Sequence, residues 1–171
     1  MDSLLDCDYK IICMDSSNCS YQNNTICDFY IDLDEPLRNV YKIKIITILA
    51  NIKNSATEYN KDLESIYIDL NNYNRLISKS TIKDSNGKSG NNYYFDSLII
   101  ETAGASGNST IKNDYNNADI EYFINPIEPQ LNRFRIRLFD KNNKIIPITN
   151  TINRFIMKLG IYYNNRKTTR L

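Results

Sequence analysis

Histidine and tryptophan are absent from this 171-residue sequence, and glycine (5) and proline (4) are scarce. Without histidine the chain lacks the commonest general base and the usual nitrogen ligand for transition metals. Acid–base catalysis would fall to carboxylate pairs, Asp28 with Asp32 or Asp114 with Asp119. Each pair reads more simply as solvent-facing strand or loop residues. The Gly104–Gly107 loop lacks the Gly-Lys-Ser/Thr ending of a phosphate cradle, and Lys88-Ser89 after Gly87 lacks its spacing. The expectation is a non-enzyme with no small-molecule substrate, no cofactor and no metal.

An excess of charge is missing too. Lys and Arg number 21 against 20 acidic residues, a net +1, which argues against a nucleic-acid partner bound by bulk charge. No apolar run approaches the ~20 residues that cross a bilayer, so no transmembrane segment is expected. The start, Met1-Asp2-Ser3-Leu4-Leu5-Asp6, has neither a basic region nor a long apolar one, so no secretory signal is read and synthesis in the cytosol is expected. The four cysteines, Cys7, Cys13, Cys19 and Cys27, lack the close Cys-x₂₋₄-Cys pairs of structural zinc sites, and reduced, unbridged thiols are expected.

What is present is β-sheet grammar. Hydrophobic residues make up 42% and charged residues 24%, the balance of one globular domain. Residues 133–139, Arg-Phe-Arg-Ile-Arg-Leu-Phe, alternate with period two. Successive strand side chains point to opposite faces, so Phe134, Ile136 and Leu138 face a core and Arg133, Arg135 and Arg137 face away from it. The same pattern gives strands at 26–33, 40–49, 65–70, 93–100, 120–125 and 155–161, with shorter runs at 9–14 and 145–148. Pro36 and Pro126 read as strand ends, and Asp140-Lys141-Asn142-Asn143-Lys144 as a tight turn. Short helical turns are expected only near 55–62 and 71–78, and a flexible loop from 103 to about 118. The polar tracts are rich in asparagine, a bias that an AT-rich genome explains, and most of it reads as loop filler.

About eight strands with regular turn punctuation indicate an all-β fold, an antiparallel eight-stranded jelly-roll sandwich. The domain spans 1–171, with a polar N-terminal segment (about 1–25) and a basic tail (about 164–171).

Several stretches carry a family resemblance. Asp15-Ser16-Ser17-Asn18, Phe29-Tyr30-Ile31-Asp32-Leu33 and Pro36-Leu37-Arg38-Asn39-Val40-Tyr41-Lys42-Ile43 resemble the opening of single jelly-roll minor capsid proteins of nucleocytoplasmic large DNA viruses. Virophage penton proteins share that fold. Asn125-Pro126, Leu131, Phe134 to Leu138 and Asp140 resemble the family's closing hairpin, with Asn143 where that turn often has glycine. The resemblance implies a structural virion protein, a penton or other minor capsid subunit of an icosahedral shell. It would be made in the host cytoplasm and located in the virion. The partners implied are copies of itself, a pentamer among the homo-oligomers, and other capsid proteins.

The alternative is a β-sandwich binding module for carbohydrate or a protein partner, using loops 51–62, 78–92 and 102–118. Three readings of the row Arg133, Arg135, Arg137 stay open: a solvated or intramolecularly paired face, a subunit interface, or a nucleic-acid contact.

Overall fold

Nine strands form among the described residues, and the three longest contain the stretches where apolar residues recur at every second position. The computed structural model describes residues 7–19, 25–52, 65–73, 76–83, 89–99, 109–114, 121–146 and 152–165. The strands are β1 (Asp8–Asp15), β2 (Asp28–Ile52), β3 (Ser65–Leu70), β4 (Leu76–Lys83), β5 (Ser89–Tyr94), β6 (Asp96–Ile99), β7 (Ser109–Asp114), β8 (Glu121–Phe139) and β9 (Ile152–Tyr163). The one helical element among the described residues is a 3₁₀ turn, Ser16–Asn18. The fold is all-β and antiparallel. Its main sheet runs β1-β9-β2-β8-β3-β6, with β7 added to β2, and β4-β5 form a separate hairpin sheet.

The sheet is organised by two long strands. A straight 25-residue strand would run ~80 Å, far beyond a domain of this size, whose radius of gyration is ~15 Å. Strand β2 must therefore bend, and β8 must bend with it. Between the pairs Asp32–Arg133 and Leu37–Leu131, β2 carries the extra residues, and Pro36 lies among them. Between Val40–Glu128 and Lys42–Phe123, β8 carries the extra ones, with the cis Asn125–Pro126 bond among them. The two offsets are equal and opposite, since each strand advances ten residues from the Asp32–Arg133 pair to the Lys42–Phe123 pair. The prolines, which have no N–H for a ladder, fall where no ladder bond is needed.

This corrects the reading of both prolines as strand ends. The segments 28–33 and 40–49 belong to one bent strand, and so do 121–125 and 133–139. Past the second bend β8 stays paired with β2 through Lys44, β7 takes over from Thr47, and β9 pairs along the other edge from Lys42. The sheet thus curls over a single sandwich-like core, in which Phe29 of β2 meets Phe155 of β9 edge-to-face at 6.3 Å between ring centroids. Phe29, Phe95, Phe134 and Phe155 are fully buried, as are Ile43, Ile45, Ile66 and Ile68. Each such side chain contributes roughly 1.5–3 kcal/mol of burial free energy.

Two further expectations change. The helical turn placed near 71–78 is a tight turn followed by β4: Asn71 and Asn72 both have positive φ (50° and 59°), and the Tyr73 amide donates to the Leu70 carbonyl (2.7 Å). Two consecutive left-handed residues are the signature of a type I′ turn. The loop read from 103 to 118 contains β7. The turn expected at 55–62 lies outside the described residues.

Among the described residues, all four non-glycine residues with positive φ are asparagines: Asn39, Asn71, Asn72 and Asn143. In a chain with five glycines, asparagine occupies the left-handed positions that glycine usually fills, because its short amide tolerates that region. At Asn143 this is the substitution read from the Asp140-led turn. Asp140 completes that turn by accepting from the amides of Asn142 (2.8 Å) and Lys144 (2.9 Å).

At the sheet's edge, Asp15 joins three elements. Its carboxylate accepts from the Ser17 amide (3.0 Å) and hydroxyl (2.7 Å) at the start of the 3₁₀ turn. It also takes two nitrogens of the Arg154 guanidinium on β9, while Ser16 Oγ accepts from the Phe155 amide (2.9 Å). Arg154 and Ser17 together hold the Asp15 carboxyl well below the usual carboxylate range. A depressed folded-state pKa contributes stability above the unfolded value of ~4 and loses it as pH falls further. Asp15→Asn is therefore expected to lower stability at pH 7 and to flatten the acid limb below about pH 4. Urea denaturation of both proteins from pH 7 to pH 2 measures this, and parallel acid limbs would contradict it.

Candidate functional site

The outer face of the curled sheet, opposite the core, carries the residues singled out in the sequence. On its first half lies the arginine row, and each member has an acidic partner on a neighbouring strand. Arg133 meets Asp32 directly across β2 (2.9 Å), with the two side chains 58% and 70% exposed. Arg135 grips Asp28 through Nε (3.1 Å) and Nη2 (2.9 Å). Arg137 donates to Asp69 of β3 (2.9 Å) and to Asn72 (2.7 Å). Tyr30 lies under both Arg133 and Arg135, at 5.5 and 5.2 Å from ring centre to guanidinium carbon. Intramolecular pairing within the sheet thus accounts for the charges of the row. The carboxylates considered for catalysis, Asp28 and Asp32, are the partners in two of these pairs. Asp114 sits on β7, and Asp119 lies outside the described residues.

The second half of the same face is aromatic. Register places Tyr9 (β1), Tyr162 (β9), Lys42 (β2) and Phe123 (β8) side by side across four strands. Lys42 Nζ stands 3.9 Å from the Tyr162 ring centre and 5.7 Å from that of Phe123, and it pairs with Glu121 (2.8 Å). A cation held between two rings fixes their spacing. The Tyr9 ring lies over Gly160, where any Cβ would come within 2.4–2.8 Å of it. Phe123 is 66% exposed, and Ile11 and Ile127 are each more than half exposed beside the row. No sequence pattern announced this row, because it joins four strands distant in the chain.

A third feature is an open cleft of about 400 Å³ beside the β4–β5 hairpin. Tyr93, exposed, and Asn92, Asn72 and Asn143 line it, with Arg137 and Asp69 at its floor. Tyr94 and Phe139 also line it, with ring centroids 5.8 Å apart, and Tyr67 stacks on Tyr94 (4.7 Å). The Tyr94 hydroxyl donates to Asn143 (2.8 Å), and burial pushes its pKa up to about 12.

The chain matches no protein-family model and no curated protein. Among the described residues no cluster of three or more Cys, Asp or Glu is placed to hold a metal ion. No helix among them is long and apolar enough to cross a membrane.

The thiols divide by burial: Cys7 and Cys13 are exposed, Cys19 and Cys27 buried. Burial pushes the Cys27 thiol up to about 12, which removes its thiolate at neutral pH. A disulfide reagent at pH 8 should titrate two thiols in the native protein and four after denaturation. Four fast native thiols would place Cys19 and Cys27 elsewhere.

The arginine pairs should differ in strength with exposure and geometry. A double-mutant cycle on Arg135 and Asp28 is expected to give a coupling of about 0.5–1.5 kcal/mol, against less than about 0.5 kcal/mol for Arg133 and Asp32. Equal couplings in thermal or urea denaturation would contradict this ranking.

Proposed function

We propose that this protein is a structural subunit of an icosahedral virion shell, a penton or other minor capsid component built as a single jelly roll. The observation that supports it most is the aromatic row on the sheet's outer face. Tyr9, Tyr162, Lys42 and Phe123 form a continuous strip held by backbone ladders, with Ile11 and Ile127 exposed beside it. Clustered aromatic and aliphatic side chains on a surface are the composition of protein–protein interfaces. A strip on paired strands presents them without further ordering, which lowers the entropic cost of association. Charge pairing along the arginine row leaves that half of the face without the bare repulsion that would separate copies. The subunit is read as non-catalytic, assembling with copies of itself and with other shell proteins after synthesis in the host cytoplasm.

The Tyr93 cleft favours a second reading, a binding module for carbohydrate. An exposed tyrosine ring ringed by asparagine amides and an Arg–Asp pair offers a stacking surface with fixed donors and acceptors.

Size-exclusion chromatography with light scattering separates the two readings. The assembly reading expects closed oligomers, a pentamer among them, and Phe123→Glu should return the folded chain to monomer. A chain that stays monomeric at high micromolar concentration and binds an oligosaccharide through Tyr93 would replace the first reading with the second.

A further inference from the structure

In the cleft beside the β4–β5 hairpin, hydrogen-bond acceptors are engaged from within while donors are left over. Both oxygens of the buried Asp69 carboxylate are taken: Oδ1 accepts from the Asn72 amide (3.1 Å) and Oδ2 from Arg137 Nε (2.9 Å). The side-chain carbonyl of Asn72 accepts from Arg137 Nη2 (2.7 Å), and that of Asn143 from the Tyr94 hydroxyl (2.8 Å). A guanidinium only donates, so Asn72 must turn its carbonyl toward Arg137 and its NH₂ group away from it. The Tyr94 hydroxyl orients Asn143 in the same sense. The groups left over are these two NH₂ groups and the rest of Arg137, two of whose five N–H groups have partners among the described residues.

The turns themselves do not require those amides. Asn72 (φ 59°) and Asn143 (φ 58°) occupy left-handed positions that glycine fills at no steric cost. What asparagine adds over glycine at both positions is a side-chain amide, and both amides line the same cleft. Tyr93, 51% exposed, adds an open ring, and Asn92 adds a mixed group of one carbonyl and one NH₂.

We propose that this cleft binds an acidic sugar, a pyranose whose anionic group meets the Asn72 and Asn143 NH₂ groups and Arg137 while its ring stacks on Tyr93. This deepens the carbohydrate reading of the cleft and rests on it, and the cleft shares no residue with the aromatic row. A carboxylate or sulfate oxygen only accepts, so it satisfies several donors without bringing one of its own. A neutral sugar presents hydroxyls alone, each with a proton to place, and the Asp69 oxygens that would take it are already engaged. Asn92 remains for one ring hydroxyl. The charges of Arg137 and Asp69 offset each other, so selectivity comes from the orientation of the donors and not from net charge.

The test uses the full chain and isothermal titration calorimetry with trigalacturonate, neutral galactotriose and sulfated galactotriose. At least one acidic trimer is expected to bind tenfold or more tightly than the neutral one, and the tighter of the two identifies the anionic group. The Asn72→Gly/Asn143→Gly variant keeps both left-handed turns, removes the two NH₂ groups without adding charge, and should lose that preference. Asn72→Asp/Asn143→Asp keeps the inward oxygens and replaces the outward donors with acceptors, and should bind the acidic trimers more weakly than the neutral one. Tyr93→Ala should weaken all three, and thermal denaturation checks that each variant folds. Equal binding of neutral and acidic trimers through Tyr93 overturns the acidic ligand and leaves the carbohydrate reading standing. A preference that survives the glycine variant overturns these donors as its source. A chain that binds none of the three overturns the carbohydrate reading and this inference with it.

Discussion

A strand long enough to cross both halves of a curled sheet keeps its partner only if every residue gained at one bend is offset at the next. β2 and β8 meet that condition between Asp32 and Lys42, where opposite offsets restore the original register. Side chains alternate with period two, so a net slip of one residue would turn one half of the core outward. Phe29 and Ile43 lie on either side of the double bend and are both fully buried. The core therefore depends on the two bends matching each other more than on any single contact.

The same register governs the outer face. Because it is restored, Asp28 and Asp32 stand across from the arginine row while Lys42 stands across from Phe123. Three arginines on alternate positions would otherwise repel, and each instead meets a carboxylate from an adjacent strand. The pairing is graded: the bidentate Arg135–Asp28 pair is half-sheltered, and Arg133–Asp32 is open to solvent. Tyr30 adds a ring beneath two of the guanidinium groups. The face is thus chemically divided, with compensated charge over one half and aromatic surface over the other.

Strand identity was legible wherever one face is buried, as at 28–33, 65–70, 133–139 and 155–161, because alternation is a local signal. Strand continuity was not. Proline reads as a terminator from sequence, yet Pro36 and Pro126 interrupt only the ladder, and whether a chain resumes pairing depends on what lies opposite. β7 was missed because its partner is the far end of β2, more than fifty residues away. The asparagines were read as filler; four of them supply left-handed backbone, and Asn71 further prolongs the β3–β8 ladder by exchanging hydrogen bonds with the Arg135 backbone (3.0 and 2.6 Å). Of the candidate site, the arginine row was visible in seven consecutive residues. The aromatic row was invisible, since its members are brought together only by the pairing of four strands.

An exposed apolar strip is a liability for a protein that acts alone, since it invites nonspecific association. β1 contributes Tyr9 and Ile11 to it, and among the described residues β1 pairs with β9 alone. The strip is not uniformly apolar, because Lys42 stands between the Tyr162 and Phe123 rings and pairs with Glu121. A surface with one fixed charge pair among its rings favours a contact that satisfies that pair over one that merely buries apolar area.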